Sequence, residues 1–123
     1  MKRWHHYLGL PHQFGADPDD GVACDCVIMT WNVLRDAGVD HPPYNESWLK
    51  MAARGEWAAL KQQWLERTKP CPQQEYALTL FEEPAHMGLG IIVDEGLLFP
   101  HHKRGVHWLP NRKVAHREYR TFR

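Results

Sequence analysis

The sequence predicts one domain of the α+β class, with N-terminal helices packed on a small antiparallel β-sheet. Two segments have apolar residues at helical spacing, Cys26–Ala37 and residues 45–68, and several short strand-like segments follow one another from residue 76 onward. Helices first and consecutive strands afterwards are typical of an antiparallel sheet with its helices segregated to one side. The 123 residues match the length of one domain, which we assign to residues 1–123.

The segment Cys26–Ala37 has the clearest helical pattern. Apolar residues recur there every three or four positions and form one stripe, made of Val27, Ile28, Trp31 and Leu34. Asp25 precedes the stripe as an N-cap and Gly38 follows it as a C-cap. Before this helix, residues 1–10 suggest a short helix, and residues 15–21 are rich in Gly, Pro and Asp, which is typical of a loop.

A second helical region spans residues 45–68 and breaks near Gly55. After the break, Trp57, Leu60 and Trp64 share one helix face. Residues 69–72 read Lys-Pro-Cys-Pro and end the region. The chain has six tryptophans, a high number that predicts a core or cleft built around large rings.

The remaining chain predicts strands. The candidates are residues 76–81, 86–93, 97–99, 106–109 and 117–122, with a turn over residues 94–96.

Charge and cysteine content narrow the classes of function. Fifteen basic and fifteen acidic residues cancel, so we expect no nucleic acid and no membrane as partner, because both attract clustered positive charge. The first residues have no apolar segment typical of a signal peptide, and the apolar stretch 87–93 is too short to span a bilayer. We therefore expect a protein made in the cytoplasm, with its three cysteines as free thiols.

Cys26 is the candidate nucleophile because it falls in the first turn of the predicted helix. Backbone N–H groups there lack partners within the helix and the helix dipole is positive, so a thiolate is stabilised. Cys24 lies before the helix and gains little of this effect. The alternative is that both cysteines are small apolar residues packed under the loop.

His86 begins a strand whose alternation defines two faces. Residues 86, 88, 90 and 92 share one face, and residues 87, 89, 91 and 93 form an apolar face for the core. Gly88 and Gly90 leave space beside the histidine, and we expect the helix start with Cys26 to approach there. His101 and His102 follow the return strand, which places one of them within reach of His86; both could also be solvated loop residues. A second imidazole can orient a catalytic base.

The chain resembles the NlpC/p60 family of papain-like cysteine peptidases. The resemblance rests on the order and spacing of five segments: the opening YLGLPHQFG (residues 7–15), the Asp25-Cys26 pair, His-Met-Gly-Leu at residues 86–89, Leu-Leu-Phe-Pro-His at residues 97–101, and the ending Arg-Glu-Tyr-Arg at residues 117–120. The last segment is similar to that of the short, phage-tail-associated members.

The resemblance implies a papain-like fold and a cysteine hydrolase mechanism without a cofactor or metal. Cys26 would be the nucleophile, His86 the base and His101 the orienting residue, with His102 competing for that role. The substrate would be a peptidoglycan stem peptide of the cell wall, cut after D-glutamate, and phage tail proteins would be partners in a phage particle. Asp25 and His12 stand at family positions that contact substrate, although His12 replaces a tyrosine and Val27-Ile28 replace the family's Ser-Gly or Trp-Gly.

Two other classes stay open. The chain could be a catalytically inert phage-tail or structural module that retains the fold. It could also bind a metal through residues drawn from Cys24, Cys26, His101, His102 or His107, but Cys-x-Cys without a second pair is weak zinc spacing. Within the hydrolases, peptidase, amidase and acyl-transfer activities share the same pair of residues.

Overall fold

A computed structural model describes residues 3–82, 87–101, 103–114 and 116–123. These residues form three α-helices and a six-stranded antiparallel sheet, which confirms the α+β class. The helices are α1 (Cys26–Ala37), α2 (Ser47–Ala53) and α3 (Trp57–Arg67). The strands are β1 (Thr68–Cys71), β2 (Leu78–Glu82), β3 (Met87–Val93), β4 (Gly96–His101), β5 (Gly105–Pro110) and β6 (Tyr119–Phe122), in the sheet order β1-β6-β2-β3-β4-β5.

Helix α1 has the bounds that the sequence predicts. The Asp25 side chain accepts hydrogen bonds from the N–H groups of Val27 and Ile28, as an N-cap does. At the other end Gly38 adopts φ 71°, and its N–H bonds to helix carbonyls in the geometry that favours glycine. Both ends of α1 are therefore fixed by local sequence.

The other helical predictions also hold in outline. Residues Arg3–Tyr7 form a short 3₁₀-helix. The second helical region divides into α2 and α3 around Gly55, which has φ 71°. The short segment Pro18–Asp20 is a further 3₁₀ turn within the predicted loop.

The sheet contains one strand that the sequence analysis missed. Strand β1 covers residues that include Pro70 and pairs with β6, from Thr68 opposite Phe122 to Cys71 opposite Tyr119. Its partner lies far along the chain, so no local pattern indicates this pairing. The predicted turn between β3 and β4 is present at Asp94 and Glu95, with φ of 53° and 63°.

The expected approach of Cys26 to the glycine face of β3 is wrong. Helix α1 packs on the opposite face, where Leu89, Ile91 and Val93 join one buried cluster with the helix. A Cβ on Gly90 would instead meet the Phe81 ring at 3.0 Å and a Leu97 methyl at 3.1 Å. The glycines make room for side chains on the second face of the sheet, because the apolar face is the one that the helix buries.

Strand β4 continues through Pro100 to His101. Pro100 pairs with Val106 and His101 pairs with Gly105. Val106 directs both its N–H and its C=O to Leu10 and Gly9, so the Val106–Pro100 pair carries no hydrogen bonds. The backbone nitrogen of Pro100 therefore points toward β3, whose pairing with β4 ends at Leu98. The N–H that proline lacks would have had no partner there, so no ladder hydrogen bond is lost.

Candidate active site

Cys26 is the first residue of α1 and is nearly enclosed. Its exposed fraction is 6%, and it belongs to the buried cluster between α1 and the sheet. Its carbonyl accepts a hydrogen bond of 2.8 Å from the Thr30 hydroxyl one turn later. The thiol is thus held at a helix start, as the sequence predicts, but away from bulk water.

This burial dominates the acidity of the thiol. Desolvation raises the pKa of Cys26 to about 12, and the neighbouring Asp25 carboxylate adds to the rise. Hydrogen bonds from the backbone N–H groups of Leu89, Val27 and Cys26 itself lower the pKa, but by less. The N–H groups at the helix start thus lower the pKa of Cys26 as expected. Burial and the Asp25 carboxylate raise it by more, so the residues described around the thiol favour its neutral form.

Asp25 organises the approach to Cys26. Its Oδ1 accepts from the Val27 N–H at 2.8 Å and the Ile28 N–H at 3.3 Å, and its Oδ2 accepts from the Gly15 N–H at 2.8 Å. The exposed fraction of Asp25 is 4%. Three backbone donors share this buried carboxylate, which joins the preceding loop to the helix.

A cavity of about 130 Å³ opens beside Cys26 and Asp25. Its walls come from the loop before α1, from α1 and the connector after it, from α2 and α3, and from strands β2, β3 and β6. Seven of its twenty lining residues are aromatic: Phe14, Trp31, Tyr44, Trp48, Trp57, Trp64 and Phe122. The face of α3 predicted from Trp57, Leu60 and Trp64 lies against this space.

His86 and His102 lie outside the described residues. Met87 and Gly88, which follow His86 in the chain, line the same cavity as Cys26. None of the histidines within the described ranges lines this cavity.

His101 has a structural contact that the sequence analysis did not foresee. Its Nδ1 accepts hydrogen bonds from the N–H groups of Lys103 at 3.1 Å and Arg104 at 3.2 Å, which stabilise the turn between β4 and β5. Its ring lies 6.5 Å from the Phe99 ring, so the two residues share a face of β4. This is the face opposite to the one that α1 covers.

His12 does not line the cavity itself but contacts a residue that does. Its backbone forms an isolated parallel bridge with Cys24. Its ring packs edge-on against Phe14, with 5.0 Å between the ring centroids, and Phe14 lines the cavity. His12 thus helps to hold Phe14 in the wall of the cavity.

The other two thiols differ from Cys26. Cys24 is fully buried, and desolvation raises its pKa above the ordinary range. Cys71 is half-buried on β1, and burial raises its pKa more weakly. Among the described residues, no group of three or more His, Cys, Asp or Glu side chains is arranged to hold a metal ion. In the same part of the chain, no helix has the length and apolar character to cross a membrane.

Comparison with family models and with curated proteins identifies no relative of this chain. No family model matches the chain, and no curated protein matches it.

The sequence analysis missed the connector between α1 and α2 as part of the site. Tyr44 packs against Trp31 and Trp48, with ring centroids 6.4 Å and 5.7 Å away. Proximity to the Asp25 carboxylate adds to the burial that raises the pKa of Tyr44. The high tryptophan count was the available signal, but it does not say which rings meet.

Proposed function

We propose that the protein is a cysteine hydrolase with a papain-like fold, in which Cys26 attacks an amide carbonyl and His86 is the base. One observation carries the proposal: Cys26, at the first turn of α1, shares a cavity with Met87, the residue next to His86. A thiol at a helix start with a histidine within reach is the arrangement such chemistry requires. The proposal needs the His86 side chain to turn to the side of the sheet that α1 covers, the side on which Leu89 and Ile91 pack.

The electrostatics require a cationic partner for the thiol. With its pKa raised to about 12 by burial, Cys26 is neutral near pH 7 unless a proton acceptor stands beside it. An imidazolium at His86 favours the thiolate by direct charge attraction. The thiol and the base are therefore one functional unit.

The reaction proceeds through a thioester. Cys26 Sγ bonds to the carbonyl carbon, its proton goes to His86, and the backbone N–H of Cys26 donates to the oxyanion. His86 then protonates the leaving amine as the C–N bond breaks. Water, deprotonated by His86, attacks the thioester, releasing the acid and returning the proton to Cys26.

The orienting role is proposed for His101 or His102. A neutral imidazole that accepts at Nδ1 carries its hydrogen on Nε2, so it can only donate from that atom. A group that orients a catalytic base through the N–H of that base has to accept a hydrogen bond from it. The turn contacts of His101 use its acceptor, which favours His102 for this role.

The substrate that the resemblance implies is a peptidoglycan stem peptide, reached through delivery with phage tail proteins. Asp25 and His12 are proposed to contact this peptide beside the cavity. The test is release of new amine ends from purified peptidoglycan, from a synthetic stem peptide and from a generic dipeptide amide library. We expect release by the wild type and by Cys24→Ala, and none by Cys26→Ala or His86→Ala.

A second candidate is an inert structural module with the same fold. The 6% exposure of Cys26 and its raised pKa favour it, because buried thiols of this kind are usually unreactive. An unreactive Cys26 at neutral pH, in a protein that melts cooperatively, would support the module and overturn the hydrolase.

A further inference from the structure

The cavity beside Cys26 is built from rings that fix one another. The Trp31 ring meets the rings of Trp48 at 5.3 Å and Phe122 at 5.4 Å, both edge-to-face. Tyr44 stands edge-on to both tryptophans. Edge-to-face packing at these distances is favourable, so the walls are set before any ligand arrives.

Two of the wall tryptophans have their indole N–H groups bonded within the protein. Trp31 Nε1 donates to the Pro42 carbonyl at 2.7 Å, and Trp48 Nε1 donates to Gln63 Oε1 at 2.9 Å. The Arg67 guanidinium, at the exposed rim, lies 5.8 Å from the Trp48 ring centroid. The wall between the rings is thus mainly carbon surface, and a carboxylate or an ammonium placed among the rings, away from Arg67 and Asp25, would lose hydration without a replacement.

The volume restricts the size of the group that enters. The cavity measures about 130 Å³. An apolar protein cavity of about 150 Å³ binds benzene. The space beside Cys26 therefore matches one phenyl ring or a branched aliphatic side chain.

We infer that this cavity is a specificity pocket that takes a neutral, apolar group of phenyl size from the substrate, next to the carbonyl that Cys26 attacks. The inference rests on the proposed function for the position of the carbonyl, but the pocket itself does not depend on catalysis. A stem peptide acting as substrate would keep its carboxylates outside the pocket and place an uncharged portion within it.

The test uses three alkylating reagents that differ only in the substituent on the amide nitrogen: N-benzyl-2-chloroacetamide, 2-chloroacetamide and N-(carboxymethyl)-2-chloroacetamide. Rates of modification at Cys26 are measured by mass spectrometry in a Cys71→Ser background, each divided by the rate with free cysteine. We expect the benzyl reagent to react at least tenfold faster than 2-chloroacetamide, and the carboxylate reagent to be the slowest.

A pair of variants on α2 locates the effect. Ala52 lines the cavity and Ala53, the next residue, is exposed. Ala52→Leu fills the pocket, so its ratio of benzyl to unsubstituted rate should fall to near one. Ala53→Leu adds the same side chain outside the pocket and should keep the wild-type ratio.

Binding is measured separately from reactivity. In Cys26→Ala, unreactive N-benzylacetamide should quench tryptophan fluorescence saturably, and N-acetylglycine should not. Saturable binding of N-benzylacetamide together with an unreactive Cys26 would support the specificity pocket and contradict the proposed hydrolase function. Equal normalised rates for the three reagents, or no binding of N-benzylacetamide, would overturn the pocket whatever the reactivity of Cys26.

Discussion

Asp25 Oδ2 accepts a hydrogen bond of 2.8 Å from the backbone N–H of Gly15, ten residues earlier in the chain. The same carboxylate caps α1 through its other oxygen. One buried side chain therefore sets both the loop that carries Phe14 and the helix start that carries Cys26. Its loss should affect the whole approach to the site.

Replacing Asp25 should destabilise the fold by an amount that depends on the replacement. In Asp25→Asn one oxygen still caps the helix, but an NH₂ group faces the Gly15 N–H, so we expect a loss of about 1–2 kcal/mol. Asp25→Ala removes all three acceptor contacts and should cost about 2–3 kcal/mol. Urea unfolding measures both.

The matched control is Glu46→Ala, because Glu46 precedes α2 and makes no side-chain cap hydrogen bond. We expect its unfolding free energy to change by less than about 0.5 kcal/mol. Equal losses at Asp25 and Glu46 would contradict the organising role of Asp25.

The pH dependence of alkylation should reveal the partner of Cys26. Because burial raises the pKa of Cys26 to about 12, very little of the thiol is ionised at pH 7 without a cation beside it. In His86→Ala, the iodoacetamide rate at Cys26 should be low near pH 7 and rise about tenfold per pH unit through pH 10. In the wild type, an imidazolium partner should give a rate that is nearly constant from pH 6 to 8.

Cys24→Ser is the control for that measurement, since Cys24 is fully buried and two residues from Cys26. It should leave the pH profile unchanged. The half-buried Cys71 provides an internal reference whose labelling follows exposure. A wild-type profile identical to that of His86→Ala would show that His86 does not assist the thiol.

His101 and His102 should have different roles: we expect His101 to be structural and His102 to orient the base. His101→Ala removes the acceptor of two turn hydrogen bonds and should lower the unfolding free energy by about 1–2 kcal/mol. His102→Ala should lower kcat tenfold or more while Cys26 remains alkylatable, because the base is misdirected and not removed.

His116→Ala, at an exposed position, is the control for both measurements and should change neither. Thermal melts give the stability of each variant, and amine release from the stem peptide gives kcat. A large fall in kcat confined to His101→Ala, with an unchanged melting temperature, would reverse the two roles.

Gly105 should be intolerant of any side chain. It has φ of 75°, and a Cβ there would lie 2.5 Å from the Leu10 carbonyl oxygen and 2.8 Å from that of Gly9. Gly105→Ala should therefore cost about 2–4 kcal/mol, combining left-handed strain with displacement of the N-terminal segment. Chemical denaturation measures the loss.

Gly55→Ala separates the two causes. Gly55 has nearly the same φ, 71°, but nothing lies within 4 Å of a Cβ built on it. We expect a loss of about 1–2 kcal/mol there, from backbone strain alone. Similar losses in the two variants would show that the contact with residues 9–10 contributes nothing.

Local sequence predicts some parts of this molecule better than others. Helix α1 follows from a periodic stripe between Asp25 and Gly38, so its bounds are predicted to the residue. Strand β1 was missed because its Lys-Pro-Cys segment is shaped by β6, which follows more than forty residues later. Alternation along β3 separates two faces, but only packing decides which face meets α1.

The same limit applies to the site. The position of Cys26 at a helix start was predictable from the cap and the stripe. Its raised pKa was not, because desolvation depends on what covers the thiol in three dimensions. The aromatic walls likewise combine rings from separate elements, and no spacing along the chain indicates that Trp31 and Phe122 meet.

Strand β6 bears on how the molecule folds. It comes after every other strand in the chain, yet it lies inside the sheet, between β1 and β2. Pairings so distant in sequence close large loops and form slowly. Until β6 docks, all four residues of β1 lack their strand partner. An unpaired strand of this kind is a template for association with other chains. Folding intermediates that lack β6 are therefore the species in which aggregation competes with completion of the domain.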